Sequence, residues 1–358
     1  MTRTEGRRTP ADEPDWLAEY DYSLPDEAIA RVPVEPRDAS RLLLLPRSAG
    51  EVGHHRFAEL PDLLEPGDCL VVNETRVLPA RMFSRLARTG RRVEILLSHP
   101  DPDPATPGAW VAILGGSHGL TGGDVLALPG DAGTFRIVER VERERWRILP
   151  EGDPLAMMEA VGHLPIPPYL HREDRTEDRT WYQTVFAREA GAIAAPTAGL
   201  HFTESVLDRL RARDVAFARI VLHVGPGTFL PVRATSVEDH RVLPERYSVS
   251  DEAALLIERT RARGGRVLAV GTTVARTLET VAAQGAVRAG SGWTDLTILP
   301  GHRFRSFDGL ITNFHLPRSS LLLLVAAFGG RERVLAAYRE AVSRGYRFYS
   351  YGDAMLIV

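Results

Sequence analysis

The sequence contains no lysine, and this absence limits what its basic residues can indicate. All 44 Lys and Arg positions of the 358-residue chain are arginine, so an arginine here does not by itself indicate bidentate phosphate recognition. The 47 acidic residues leave a formal net charge of −3. A nucleic-acid partner would therefore need a local basic patch, because the molecule as a whole does not attract phosphate.

Cysteine and long apolar runs are also scarce. The single cysteine, Cys69, excludes an internal disulfide framework and a cysteine-based metal cluster. The longest apolar run, residues 321–328, is far shorter than the about 20 residues of a membrane-spanning helix. Residues 1–15 lack the apolar segment of a signal peptide and are expected to form a disordered tail. We therefore expect a cytoplasmic protein with no membrane association.

Two sequence textures alternate along the chain and predict two domains. Residues 76–158 hold short strand-like pieces separated by Gly and Pro turns, a pattern typical of a small β-barrel or sandwich. Residues 16–75 and 159–358 alternate strands with helices, which predicts an α/β catalytic domain. The expected fold class is an α/β main domain interrupted by an inserted small β-barrel domain. The C-terminal stretch "YRFYSYGDAMLIV" predicts a hairpin.

The stretch "GAIAAPTAGLHFTE", residues 191–204, is unusually small and uncharged. Small residues such as Gly199 let a ligand approach the backbone closely, and Thr197 adds a hydroxyl. Thr203 is the expected N-cap of the helix that follows, which places His201 near free N–H groups that favour an anion. A tightly packed loop with a hydrogen-bonded core histidine explains the stretch equally well.

The stretch "VLHVGPGTFLPV", residues 221–232, places a histidine at the end of a predicted strand. His223 is followed by a Gly-Pro-Gly loop that contains Gly225 and Gly227, and then by Thr228. Ligands of open α/β sheets collect at the carboxyl ends of strands. A sharp turn is the competing explanation for the glycines.

The stretch "VLAVGTTVARTLE", residues 267–279, reads as a strand, a glycine and a helix that opens with Thr272 and Thr273. Backbone amides and hydroxyls at such a junction form an anion site. Simple threonine capping after a strand remains an alternative. The stretch lacks the terminal Lys of a phosphate loop, and no early strand leads into the glycine fingerprint of a dinucleotide-binding fold.

Polar residues interrupt an apolar region near the C-terminus. Asp295, Asp308, Asn313 and His315 lie within residues 294–320, where an ionisable side chain must find a partner or shift its pKa. A structural turn explains Asp308, which is followed by glycine. It does not explain "TNFHLP" well, because Asn, His and Pro together interrupt an apolar strand.

The last candidate segment is "YSYGDAML". Its rings and carboxylate, including Tyr351 and Asp353, are of the type that contacts a cationic ligand. A hairpin turn would have the same sequence pattern.

Taken in order, these segments resemble those of the S-adenosylmethionine:tRNA ribosyltransferase-isomerase family of queuosine biosynthesis. The resemblance covers nearly the whole chain and implies the same α/β domain interrupted by a β-barrel. Its longest stretches are "EPRDASRLL", "LPDLLEPGDCLVVNETRVLPAR", "HLPIPPYLHR", "GAIAAPTAGLHFT", "LHVGPGTF", "VGTTVARTLE" and "DGLITNFHLPRSSLLLLVAAFGG".

The resemblance implies S-adenosylmethionine as a co-substrate and no metal. Its ribosyl moiety would be transferred to the 7-aminomethyl-7-deazaguanine (preQ1) at the wobble position of tRNA and isomerised. The products would be epoxyqueuosine, adenine and methionine. The partner is therefore expected to be tRNA, and the protein is expected to be a monomer.

The chemistry of that reaction assigns hypothetical roles to the candidate residues. The sulfonium acidifies the neighbouring C5′ protons, so a positioned base must remove one of them. His201, His223 and His315 are the acid–base candidates, with Asp308 and Asp295 behind them. The substrate-binding candidates are Thr197, Gly199, Thr203, Gly225, Gly227, Thr228, Thr272, Thr273, Asn313, Tyr351 and Asp353. The RNA-binding candidates are Arg76, Arg81, Arg85 and Arg88.

The sequence departs from the family pattern at several positions, and these departures leave the acceptor open. Glu74 stands where the family commonly has Asp, Leu230 where it has Arg, and Leu243 where it has a second histidine. A diverged paralogue that modifies another acceptor, such as a free 7-deazaguanine, is therefore one alternative. A non-catalytic RNA-binding protein with the same fold is another.

Overall fold

The structure is a computed structural model that describes residues 15–48, 50–142, 144–229, 232, 234, 236–237, 239–283 and 285–358, without the side chains of residues 228 and 229. The predicted tail lies almost wholly outside this range. No helix within the described residues is long and apolar enough to cross a membrane.

Seventeen strands and eight α-helices form the described chain, together with short 3-10 turns. The strands are β1 Arg41–Leu45, β2 Gly53–Arg56, β3 Cys69–Asn73, β4 Thr75–Val77, β5 Arg81–Leu86, β6 Arg92–Pro100, β7 Trp110–Gly115, β8 Val125–Ala127, β9 Thr134–Arg140, β10 Arg145–Glu151, β11 Glu189–Ala192, β12 Ala216–Leu222, β13 Glu245–Val249, β14 Val267–Val270, β15 Gly290–Thr294, β16 Gly309–Asn313 and β17 Ala354–Ile357. The helices are α1 Leu60–Leu63, α2 Pro154–Val161, α3 Asp178–Trp181, α4 Glu204–Ala212, α5 Asp251–Ala262, α6 Thr272–Val281, α7 Ser320–Gly329 and α8 Arg331–Ser343.

A nine-stranded sheet is the centre of the main domain. Its order is β15-β13-β12-β3-β14-β16-β17-β1-β2, and β12, β3, β14 and β16 are mutually parallel. Side chains alternate between the faces, so that in β3 Val71 belongs to one core cluster and Leu70 to another. Because both faces are covered, the central strands are mostly apolar, as expected for buried parallel strands, and polar residues such as Asn73 and Asn313 stand at their carboxyl ends.

Helices cover the two faces of the sheet and complete an α/β/α sandwich. The residues of α5, α6, α7 and α8 pack in the larger core cluster, and those of α1 and α4 pack in the cluster on the other face. Side-chain caps fix where several helices begin. Thr203 accepts a hydrogen bond from the Val206 amide, and Ser250 accepts one from the Ala253 amide, as the sequence predicts.

The inserted domain is a closed barrel of six strands in the order β10-β7-β6-β5-β8-β9. Met82, Phe135 and Trp146 fill its interior, and helix α2 adds Met157. Ile193 of the main domain packs in the same cluster, so the barrel is joined to the α/β domain by shared core as well as by the chain. The predicted fold class is confirmed.

The C-terminal hairpin prediction is wrong. Strand β17 pairs parallel with β1 and antiparallel with β16, between which it lies. The Asp353 carboxylate accepts hydrogen bonds from the amides of Arg41 (2.8 Å) and Arg347 (2.7 Å). Residues 354–357 therefore form an inner strand of the sheet, and all four of these apolar residues are buried.

Candidate active site

The carboxyl ends of the parallel strands lie along one side of the sheet and bring several of the predicted residues together. Asn73 ends β3, Asn313 ends β16, His223 follows β12, and Thr272 follows β14 after one glycine. The carboxyl ends of strands are where open α/β sheets bind their ligands. The sequence motifs, distant along the chain, therefore meet in one region.

A cleft lies at these strand ends, and five predicted residues line it. They are Thr197, Thr272, Thr273, Asn313 and His315. His315 also lines an adjoining depression that contains Gly227. The two hollows are therefore neighbours that share His315, Leu321 and Tyr349 in their linings.

Asn313 is the best-fixed polar side chain of the cleft. Its amide oxygen accepts a hydrogen bond from the Thr197 hydroxyl (2.9 Å), and its amide nitrogen donates to the carbonyl of Tyr349 (3.1 Å). The same nitrogen lies 3.2 Å from Nε2 of His201. These partners leave the amide one orientation, because a carbonyl can only accept.

His201 lies behind Asn313, and both of its ring nitrogens are engaged. Nε2 faces the Asn313 amide, while Nδ1 lies 2.9 Å from the Ser40 hydroxyl. Because an amide nitrogen can only donate, Nε2 accepts and Nδ1 carries the proton. Burial, and then Arg37 and Arg347, lower the pKa of His201 to about 3. The geometry suits a neutral positioning residue rather than one that touches a ligand.

His315 is the histidine that reaches the cleft itself. Its backbone amide donates to the Tyr338 hydroxyl (3.2 Å), and its carbonyl accepts a hydrogen bond from the Tyr22 hydroxyl. Nε2 lies 2.8 Å from the Thr312 hydroxyl. Burial lowers the pKa of this imidazole to about 3. It is therefore neutral near pH 7, and the same burial makes it a weak base until a ligand changes its surroundings.

The N-terminus of helix α6 faces the same cleft. Gly271, Thr272 and Thr273 all contribute to its lining. Gly271 has a φ of +94°, a conformation that favours glycine, and it offers no side-chain oxygen to cap the helix. The first amides of α6 and the two threonines therefore lie at the cleft, where the strand-glycine-threonine pattern predicts an anion site.

Three tyrosines line the cleft, Tyr169, Tyr182 and Tyr349, and none of them is among the substrate-binding candidates. Tyr169 and Tyr349 line it with ring centroids 3.8 Å apart. Tyr349 has a φ of +76°, a strained conformation for a bulky residue, and such strain concentrates at ligand sites. The sequence indicates Tyr349 as one of the rings of "YSYGDAML" that could contact a cationic ligand, whereas it gives no signal for Tyr169.

His223 and Gly225 line a second cavity, between the barrel and the main domain. Nδ1 of His223 lies 2.8 Å from the Thr75 hydroxyl. Burial, and then Arg246, lower the pKa of this histidine to about 4. Val224, which is 2% exposed, lines both the cleft and this cavity, so the two spaces are neighbours at the end of β12.

The two predicted acids lie away from the cleft. Asp308 is exposed at the opposite end of β16, where its carboxylate accepts a hydrogen bond from the Val267 amide (2.9 Å). Asp295 is exposed after β15, and its carbonyl accepts a hydrogen bond from the Thr297 hydroxyl (3.1 Å). The acid–base prediction therefore rests on the histidines.

Several predicted substrate contacts have structural partners instead. The Tyr351 hydroxyl donates to Asp178 (3.0 Å), and Asp353 joins β17 to β1 as described above. Thr203 caps α4 and donates to Asp38 (2.7 Å), and Gly199 packs against the Thr184 side chain. The side chain of Thr228 lies outside the described residues.

The predicted RNA-binding arginines lie on the barrel side. Arg81 pairs with Glu94 (2.7 Å) and Arg88 with Asp124 (2.7 Å). Arg85 donates to the Gly90 carbonyl (2.9 Å), and Arg76 is exposed. The guanidinium groups of Arg81 and Arg88 are already neutralised by carboxylates.

The three positions at which the sequence departs from the family pattern lie in different parts of the structure or outside its described residues. Glu74 lies 3.7 Å from the Arg219 guanidinium and away from the cleft lining. Leu243 lines both the depression beside His315 and the second cavity. Leu230 lies outside the described residues.

Comparison with known proteins assigns the chain to a family. The fold and the strand-end cleft define an α/β enzyme with an inserted barrel. A model of the queuosine biosynthesis protein family matches residues 17–357, and the chain belongs to that family. The family predicted from the sequence is confirmed.

Relatives with a more specific name match over almost their full length. A Pelobacter propionicus S-adenosylmethionine:tRNA ribosyltransferase-isomerase is 52% identical over 95% of this chain and 99% of that protein. One from Anaeromyxobacter sp. (strain Fw109-5) is 52% identical over 95% and 98%. The crystal structure of an S-adenosylmethionine tRNA ribosyltransferase from Thermotoga maritima aligns with a TM-score of 0.55 and 36% identity, covering 95% of this chain and 100% of that one.

Proposed function

We propose that this protein transfers the ribosyl moiety of S-adenosylmethionine to the 7-aminomethyl-7-deazaguanine at the wobble position of tRNA. The transferred ribosyl moiety is isomerised, so that the modified base becomes epoxyqueuosine. Adenine and methionine leave. The observation that supports this function best is the cleft at the carboxyl ends of the parallel strands, which is lined by Asn313, His315 and the start of α6. The names of the full-length relatives support the same activity.

The N-terminus of α6 is the proposed site of the methionine carboxylate. Its first amides and the hydroxyls of Thr272 and Thr273 supply donors, and the helix dipole favours a negative group there. The rings of Tyr169 and Tyr349 lie across the same cleft, and aromatic faces attract a sulfonium. Carboxylate and sulfonium would thus be held at two points of one ligand.

His315 is the proposed base for the C5′ proton. It is the histidine that lines the cleft, and its backbone is held by two buried tyrosine hydroxyls. Because burial lowers its pKa to about 3, this role requires that the bound substrate stabilise the imidazolium. Asn313 is the proposed contact for the ribose or adenine, and His201 fixes its orientation from behind. No step is assigned to a metal.

The proposed partner is a tRNA that carries the modified wobble base, and the proposed acting unit is a single chain in the cytoplasm, where tRNA is found. A paralogue that acts on a free 7-deazaguanine is less favoured, because the relatives are named for tRNA. Their naming as enzymes equally disfavours a purely RNA-binding role.

Adenine release tests this function directly. Wild-type protein, S-adenosylmethionine and an anticodon stem-loop bearing the aminomethyl-deazaguanine should yield adenine on chromatography. His315→Asn should lower the rate about 100-fold or more, as loss of a general base does, while His118→Asn, at an exposed barrel loop, should leave it unchanged. S-adenosylhomocysteine as the product would contradict the function, and full activity of H315N would remove His315 from its role.

A further inference from the structure

The second cavity is large and is built by both domains. It has a volume of about 590 Å³. The barrel contributes His99, Trp110 and Arg145, and the main domain contributes His223 and Trp293, among others. A space of this size accommodates a nucleobase with its sugar, since ligand pockets typically start near 300 Å³.

Aromatic rings line the cavity without being buried by the protein. Trp293 is 42% exposed, although it lies on a strand of the main sheet. Its ring meets His99 edge to face at 4.9 Å, and Trp110 lines the same space from the barrel. An open ring system of this type is what single-stranded nucleic-acid sites use to stack bases, because every base has a π-face.

Charged groups in the lining are of both signs. Arg145 of the barrel and Arg246 of the main domain line the cavity, as does the exposed carboxylate of Glu189. Arg145 is already paired with Glu142 (3.2 Å), so Arg246 is the guanidinium that suits a phosphate flanking a base. A carboxylate suits an ammonium group carried by that base.

The cavity adjoins the cleft at Val224, which lines both. A base held in the cavity would therefore lie beside whatever the cleft binds. This relation between the two spaces is what a transfer between two substrates requires.

We infer that this cavity receives the acceptor nucleotide of a single-stranded RNA loop, with its base stacked on Trp293 and its ammonium arm at Glu189. Arg246 holds a flanking phosphate. The inference rests on the proposed function and names the acceptor site, distinct from the S-adenosylmethionine cleft.

The test separates RNA binding from nucleoside binding. Trp293→Ala should raise both the KM for the modified stem-loop and its Kd, measured by fluorescence anisotropy, about tenfold, as loss of a stacking ring does. The Kd for S-adenosylmethionine, measured by calorimetry, should change less than about twofold, because the cleft keeps its residues. Trp293→Phe should recover most of the RNA affinity, and Leu255→Ala, at an exposed position of α5, is the matched control.

A second variant tests the ammonium contact. Glu189→Gln should weaken binding of the aminomethyl stem-loop about threefold or more, and should leave a stem-loop with unmodified guanine unchanged. Glu27→Gln, also exposed, is its control. Unchanged RNA binding in W293A, or an equal loss of S-adenosylmethionine affinity, would overturn the acceptor site. Failure of wild-type protein to release adenine would instead overturn the proposed function.

Discussion

At the scale of single residues, the three histidines show what the sequence can and cannot predict. Their position at strand ends is readable from the motifs, because apolar runs and glycines mark where strands stop. Which histidine faces a ligand is not readable. His201 is turned to Ser40 and Asn313 by contacts more than 100 residues away in the chain, and such contacts leave no local pattern.

These histidines should make the stability of the protein depend on pH. Burial lowers the pKa of His201 and of His315 to about 3 and that of His223 to about 4. Their pKa in an unfolded chain is about 6.5, so the unfolded state binds more protons between those values. The free energy of unfolding should therefore rise with pH through this window and fall on acidification.

Urea unfolding measured in steps from about pH 7 to about pH 5 checks this expectation. Near pH 5.5 these three histidines should contribute a slope of about three protons, and His99 and His240, whose pKa values burial also lowers, should steepen it further. His201→Asn should reduce it by about one proton, and His118→Asn, at an exposed site, should not. A slope that H201N leaves unchanged would mean that His201 titrates normally when folded.

At the scale of elements, the sequence predicts where strands and helices begin and end, but it does not predict which strands pair with each other. The sequence "VGTT" predicts the junction of β14 and α6, because the end of the strand, the positive-φ glycine and the two threonines that open the helix are consecutive residues. Strand β17 has an equally clear apolar pattern, yet its partners are β1 and β16. A strand's sequence indicates that it is buried, and its partners depend on the packing of the whole sheet.

The start of α6 should contribute to S-adenosylmethionine affinity through its hydroxyls. Thr272→Val keeps the side-chain shape and removes one donor, so the Kd for S-adenosylmethionine should rise about tenfold, which is a typical loss for a hydrogen bond to a charged group. Calorimetry measures it. Thr280→Val is the matched control, because Thr280 lies at the far end of the same helix and bonds to the Arg276 carbonyl (2.8 Å). Equal effects of the two variants would contradict an anion site at the helix start.

At the scale of the whole molecule, the position of the barrel beside the main domain matters more for the second cavity than the internal architecture of the barrel. The sequence predicts a barrel within an α/β domain, since strand texture changes abruptly. The cavity between them is not predictable that way, because it depends on how His99 and Trp110 are placed against Trp293. Ile193 in the barrel core is one of the contacts that set this placement.

The charge of the molecule leads to a last prediction, about salt. With a net charge of −3, RNA binding must depend on a few local arginines, so the affinity should fall only modestly as salt rises from about 50 to 300 mM. Arg246→Gln should make the slope of log affinity against log salt less steep by about 0.7, the value for one phosphate contact of a single strand.

Arg88→Gln should leave the slope unchanged, because Asp124 already neutralises Arg88 through a two-point contact of 2.7 and 3.2 Å. Anisotropy titrations of the labelled stem-loop measure both variants. If R88Q flattens the slope as much as R246Q, the RNA crosses the outer barrel surface, as the sequence predicts for Arg88. If only R246Q does, the backbone of the RNA follows the line between the two domains, and the acceptor base enters from there.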